Sequence, residues 1–225
     1  MYFFFYEEPL IAIIGDIRKS RLLPERKEVQ DKLKMVLDEI NLKYEGDISA
    51  KFLITLGDEF QGLLSNGKYA LKIIQEIRMQ LCPAEVRFGI GVGKITTEIN
   101  TDMALGADGP GYYNARDAIE ILKKNEKKNK AILSDIRLAV EGENVTQMVL
   151  VNTIFELMKS IEQTWTGRQK EVIWDMLKNQ DNQNNVANRL GISQSSVQKS
   201  LAKGHYYVYE NAMKNIAGIL GEIGT

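Results

Sequence analysis

Two residue types that build disulfide frameworks and zinc sites are almost missing from this 225-residue chain: it has one cysteine, Cys82, and one histidine, His205. A single thiol closes no internal disulfide, so nothing ties the chain to an oxidising compartment, and Cys82 is expected as a small buried residue before Pro83. His205 has no second histidine or cysteine nearby, which excludes the usual zinc ligand sets. Long apolar runs are missing too. The opening Met1 to Tyr6 is apolar but short, lacks a basic flank and is followed by Glu7 and Glu8, which is not the pattern of a secretory leader. No stretch approaches the ~20 apolar residues that span a bilayer, so the expectation is a cytoplasmic protein without a membrane segment. A net charge of −1 argues neither for nor against nucleic acid when the chain is taken whole. There is no internal repeat and no low-complexity tract.

What is present is an ordinary globular composition, 44% hydrophobic and 26% charged, with two contrasting halves. In the first, Pro9 to Ile14 is an apolar run ending at Gly15 and reads as a strand. Pro24 opens a helix with Val29, Leu33, Val36, Leu37 and Ile40 on one face. Ile48–Leu56 and Glu59–Leu64 read as strands meeting at Gly57-Asp58, a hairpin signal. A helix over Gly67–Leu81 is stopped by Pro83; a glycine-rich strand follows over Glu85–Gly93, then a helix over Tyr113–Lys124, a charge run, and a strand at Ala131-Ile132-Leu133. The order β-α-β-β-α-β-α-β predicts a ferredoxin-like core with appended elements, an α/β sandwich with helices on one sheet face. The pattern weakens between Asp135 and Gln147, which places a boundary there: an α/β domain over 1–145 and an all-α domain over 146–225, together an α+β protein.

The second half carries the clearest local signature. Thr166 and Gln169 fit a capping box ahead of Val172, Ile173, Met176 and Leu177. A helix from about Asn184 to Leu190 then turns at Gly191 into one capped by Ser193. Ala187 lets two helices approach, Gly191 tolerates a left-handed turn, and Ile192 and Val197 plug the space between them. This spacing predicts a helix-turn-helix. On its last helix Gln194, Ser195, Gln198 and Lys199 are expected to point outward, a set able to bond base edges and phosphates. Asn182 to Tyr209 holds Arg189, Lys199 and Lys203 and no acid, which predicts a cationic surface for a phosphate backbone. A helical hairpin serving a protein interface is the alternative. Tyr206, Tyr207 and Tyr209 read as a core stripe or a dimer face, and Trp165 and Trp174 as packing residues.

In the first half, Asp16 follows the first strand and Asp58 sits at the hairpin tip. A ferredoxin-like sheet makes those strands neighbours. Two carboxylates there, beside the amides of Ile17, Arg18, Lys19 and Ser20 and the cations Arg18, Lys19 and Arg21, are suited to Mg²⁺ and a triphosphate, since hard cations take oxygen ligands and phosphates take amide or cationic donors. The same residues also suit turn chemistry alone, with Asp16 capping a turn and Asp58 closing a hairpin. Asp108, in Asp108-Gly109-Pro110-Gly111, is a turn residue that could line the same pocket.

These positions resemble the class III nucleotidyl cyclases and, more distantly, GGDEF-type palm domains, over about 130 residues. The resemblance implies that Asp16 and Asp58 hold metal, that Gly89-Ile90-Gly91-Val92-Gly93 is the glycine-bearing strand, and that Arg116, in Ala115-Arg116, reaches a phosphate across a homodimer interface. Tyr112, Ile54 and Leu105 stand where those cyclases orient ribose and select a base. Across its length the chain resembles the SatD family of bacterial proteins through Gly15-Asp16-Ile17, Gly57-Asp58-Glu59-Phe60-Gln61-Gly62, Arg87-Phe88-Gly89-Ile90-Gly91 and Gly106-Ala107-Asp108-Gly109-Pro110, a resemblance that implies no established reaction. The expectation is a DNA-binding regulator with a nucleotide- or Mg²⁺-binding cyclase-like domain. The alternative is a divergent nucleotidyl cyclase or transferase acting on a nucleoside triphosphate, with Asp16, Asp58 and Arg116 as its catalytic set; a purely structural pair of domains is the third reading.

Overall fold

The computed structural model describes residues 3–5, 8–129, 133–140 and 142–224. Five strands form one sheet: β1 (Leu10–Ile17), β2 (Ile48–Leu56), β3 (Glu59–Leu64), β4 (Val86–Gly93) and β5 (Ile136–Val140). Their order is β2-β3-β1-β4-β5. The first four run antiparallel to their neighbours and β5 runs parallel to β4. With α1 (Arg26–Lys43) and α2 (Ala70–Leu81) as the crossovers, the first four strands have the ferredoxin-like connectivity.

Helices cover both faces of the sheet, where the sequence suggested one. On the α1/α2 side, Ile11, Ile13, Ile17, Phe60, Phe88 and Ile90 join the buried faces of those helices in the main core. On the other side Ala12, Ile14 and Leu63 pack with Tyr112, Ala115 and Ile119 of α3 (Pro110–Asn129). The unbroken apolar run of β1 is the sequence sign of a strand buried on both faces. Along β4 a glycine stands wherever α3 crosses: a Cβ on Gly89 would lie 2.1 Å from the Ala115 carbonyl oxygen, and one on Gly91 2.0 Å from that of Gly111. The glycine-bearing strand is thus a docking surface for a helix backbone.

Side chains and loops close the sheet's outer strands. Asn152 of α4 (Val145–Gln163) donates to the Leu138 carbonyl at 2.9 Å and accepts from the Leu138 amide at 2.8 Å. Asn41 of α1 clasps the Phe52 backbone in the same way, at 2.9 and 2.7 Å. The Lys51 amide and carbonyl bond Thr101 and Ala104 of the β4–α3 loop. The last strand among the described residues is β5 at Ile136–Val140; of the strand expected at 131–133, Ala131 and Ile132 lie outside the described residues, and Leu133 is not in a strand.

The remaining helices are α5 (Gly167–Asn179), α6 (Gln183–Leu190), α7 (Gln194–Lys203) and α8 (Tyr206–Gly221). The capping box of Thr166 and Gln169 forms, Ser193 caps α7 by accepting from the Ser196 amide, and Gly191 takes φ 63° between α6 and α7. Trp165 packs edge-on to Tyr209 and donates to the Gly204 carbonyl. Tyr206 and Tyr209 are core residues, whereas Tyr207 is exposed. These helices do not stand apart from the sheet, because one apolar cluster runs from Ile11 and Ile73 through Phe155 and Val172 to Leu220. The Gly67 amide bonds the Ile223 carbonyl. Among the described residues no helix is long and apolar enough to cross a membrane.

Candidate functional site

Asp16 and Asp58 stand at the same end of the sheet, as the hairpin register predicts. Asp16 pairs with Glu59 across β1 and β3, and the Ile17 amide donates to the Asp58 carbonyl at 3.1 Å. Asp58 follows Gly57, whose φ of 64° makes the tight turn, and its carboxylate accepts from the Ser20 hydroxyl. Ser20 opens a single 3-10 turn at Ser20–Leu22 after Lys19, an exposed residue in left-handed conformation.

The ring of donors expected around the carboxylates is largely engaged elsewhere. The Ile17 amide is used by Asp58 and the Arg18 amide by the Glu85 carbonyl at 2.8 Å, so neither is available to a phosphate. The Arg18 side chain is buried; it bonds Glu126, Asp135 at 2.7 Å and the Ser134 carbonyl. Of the expected phosphate donors Ile17, Arg18, Lys19 and Ser20, the exposed cation is Lys19.

Asp16 is likewise partnered on both oxygens. One accepts from Arg87 of β4, and the other lies 3.7 Å from the Lys123 ammonium of α3. Arg87 forks between Asp16 and Glu126, meeting Glu126 at 2.8 Å through both Nε and Nη2. Burial lowers the Arg87 pKa, but Glu126 and Asp16 outweigh it and raise the value above the usual guanidinium range, so this cation is permanent. Among the described residues no three His, Cys, Asp or Glu side chains converge as a metal set. A Mg²⁺ ligated by Asp16 would have to enter where a guanidinium and an ammonium already sit, and the residues as arranged do not fit it.

Other positions singled out by sequence fall as follows. Arg116 is exposed on α3. Tyr112 is buried, its hydroxyl has no partner among the described residues and burial pushes its pKa up to about 12. Ile54 packs against the main core and Leu105 is exposed. Asp108 belongs to the β4–α3 loop, where its carboxylate accepts from the Tyr113 hydroxyl at 2.6 Å. Cys82 is half-buried rather than buried, and with Arg78, Glu162, Trp165, Lys170 and Trp174 it lines a cleft of about 270 Å³ between the sheet and the later helices. That cleft has no signal in the sequence, because its walls come from segments far apart in the chain.

On α7, Gln194, Ser195, Gln198 and Lys199 are exposed, while Val197 and Leu201 on the opposite side are fully buried. Gln194 donates to the Gln183 side chain of α6 at 2.6 Å. The cationic surface expected over 182–209 is smaller than its sequence suggests. Arg189 is gripped by Asp175 at 2.5 Å and Asp181 at 2.7 Å, acids that lie just before that window, which leaves Lys199 and Lys203.

The SatD family profile matches residues 10–220, nearly the whole chain. The chain belongs to the SatD family. None of the curated proteins compared with it matches in sequence. Solved structures similar to this SatD chain include the guanylate cyclase domain of RhGC from Catenaria anguillulae in complex with GTP, at 15% identity and TM-score 0.38 over 49% of this chain and 71% of that one. The monomeric guanylyl cyclase domain of the RhoGC fusion protein from Blastocladiella emersonii matches at 16% and 0.37, over 49% and 74%. A bacterial light-regulated adenylyl cyclase matches at 15% and 0.40, over 58% and 75%. Likenesses this distant leave the chain's own residues as the ground for any functional reading. Arg87, Lys123 and Glu126 are not among the site residues expected from sequence; Arg87 enters that reading only as part of the motif Arg87-Phe88-Gly89-Ile90-Gly91, and Lys123 only as the start of a charge run.

Proposed function

We propose that this protein is a DNA-binding regulator in which α6 and α7 act as a helix-turn-helix and the sheet domain receives a phosphate-bearing ligand. The observation that carries the reading is the two-sidedness of α7: Val197 and Leu201 are buried, and Gln194, Ser195, Gln198 and Lys199 form an exposed, acid-free face. Amide and hydroxyl side chains on a helix held out by its neighbours are the groups that bond base edges in a major groove, and Lys199 is placed for a phosphate. The test is fluorescence anisotropy of the full chain with random-sequence duplex DNA at low salt. Lys199→Ala should weaken binding and lower the slope of log affinity against log salt by about one unit, and Gln198→Ala should weaken it with an unchanged thermal midpoint. An absence of duplex affinity at low salt would refute the proposal.

A second reading, a divergent nucleotidyl cyclase or transferase, draws support from one observation: the elements bearing Asp16 and Asp58 are bonded to each other at one sheet end. Incubation of the protein with each nucleoside triphosphate and Mg²⁺ or Mn²⁺, with products resolved by chromatography, tests it. Turnover abolished by Asp58→Asn would favour this reading over the first.

A further inference from the structure

We infer that Arg87 and Lys123 occupy the place of a divalent cation at the Asp16 end of the sheet, so that a phosphate-bearing ligand is received there without Mg²⁺. The inference deepens the reading of the sheet domain as a phosphate-ligand module and rests on it for its second half. Four observations carry it. Asp16 is buried and at the sheet end where the carboxylates meet, so its charge needs a partner from within the protein or from outside. That partner is internal: Arg87 bonds one oxygen and Lys123 approaches the other. Arg87 is fixed rather than casually placed, because its three nitrogens are divided between Asp16 and a bidentate contact to Glu126. Arg18 also bonds Glu126, so Asp16 and Glu126 are met by Arg87, Lys123 and Arg18, and a doubly positive ion at Asp16 would meet repulsion from the two cations that already hold its oxygens.

The arrangement also states which groups meet a phosphate. Lys123 is partly exposed, with 30% of its side chain open to solvent, and its contact to Asp16 at 3.7 Å is long enough to be shared. Lys19 stands exposed beside the same sheet end, at the start of the turn that carries Ser20. Two ammonium groups of this kind act as point charges for phosphate oxygens, while Arg87 stays bound to Asp16 and Glu126.

Two measurements on the full chain test the two halves separately. In the first, free Mn²⁺ is followed by electron paramagnetic resonance. The wild type should show no Mn²⁺ binding that depends on Asp16. Arg87→Ala should acquire one, stronger by about tenfold or more than any residual Mn²⁺ association of the wild type, the scale on which removing a like charge moves a neighbouring ionic equilibrium, and Arg87→Ala combined with Asp16→Asn should lose it again. Stoichiometric Mn²⁺ binding by the wild type that Asp16→Asn abolishes would overturn the inference, and that titration decides even where Arg87→Ala does not fold. In the second, inorganic triphosphate should raise the thermal midpoint equally in EDTA and in Mg²⁺, with the rise reduced in Lys123→Ala. A rise seen only with Mg²⁺ overturns the metal-free site. No rise in either condition, with the Mn²⁺ result as expected, removes the phosphate-ligand reading while the cation substitution stands.

Discussion

Asp135, just before β5, draws in three cations from three parts of the chain: Arg18 from just after β1, Arg78 from α2 and Lys159 from α4. Burial raises its pKa, but Arg78, Lys159 and Arg18 outweigh that and hold it below the usual carboxylate range. A carboxylate with a depressed folded pKa contributes stability above its unfolded value, near 3.9, and loses it as pH falls through the folded value. Asp135→Asn leaves buried cations short of a partner and should cost about 3–5 kcal/mol at pH 7. Urea midpoints should show the gap to wild type narrowing below about pH 4. Gly91→Ala tests a different constraint at the same scale, since its Cβ would press on the Gly111 carbonyl and the Ala115 amide, backbone that cannot rotate away. The loss should be roughly 1–3 kcal/mol or more, read from the thermal midpoint.

At the level of elements, the box of Thr166 and Gln169 closes on the first turn of α5, and both halves of it are formed. Thr166→Ala should cost about 1 kcal/mol in a denaturant titration, the ordinary worth of such a cap. Caps, turns and periodicity are local, which is why β2, β3, the end of α2 and the bend at Gly191 were all legible from residues alone. The site was less so. That Asp16 and Asp58 share a sheet end follows from strand order, and the sequence carried it. That Asp16 is answered by Arg87 and Lys123 depends on β4 pairing with β1 and α3 crossing the face of both, which no spacing records. The same holds for Arg189: the residues counted around it contain no acid, yet the fold returns Asp175 and Asp181 to it. The strand at Ile136–Val140 was not expected because the helix that packs on it, α4, lies beyond it in sequence.

For the whole molecule, the apolar cluster shared by the sheet and α4 to α8 has an observable consequence. Calorimetry should record one cooperative unfolding transition, with the calorimetric and van't Hoff enthalpies equal; two separate transitions would show that the halves unfold independently. Arg116 is exposed on α3; the homodimer expected from the sequence is tested by light scattering at micromolar concentration, which distinguishes that assembly from a monomer. The bonds that Asn152 makes to Leu138 bear on assembly in another sense. β5 ends the sheet, and a terminal strand with idle amides and carbonyls is a template on which another chain can extend the sheet indefinitely. One amide side chain, meeting both polar groups of Leu138, works as a molecular stopper against that growth. Asn152→Ala should therefore do more than loosen α4: solutions that stay clear as wild type should, on storage, accumulate high-molecular-weight species that bind thioflavin, and Asn152→Gln, whose longer arm misplaces the same amide, should not fully prevent them.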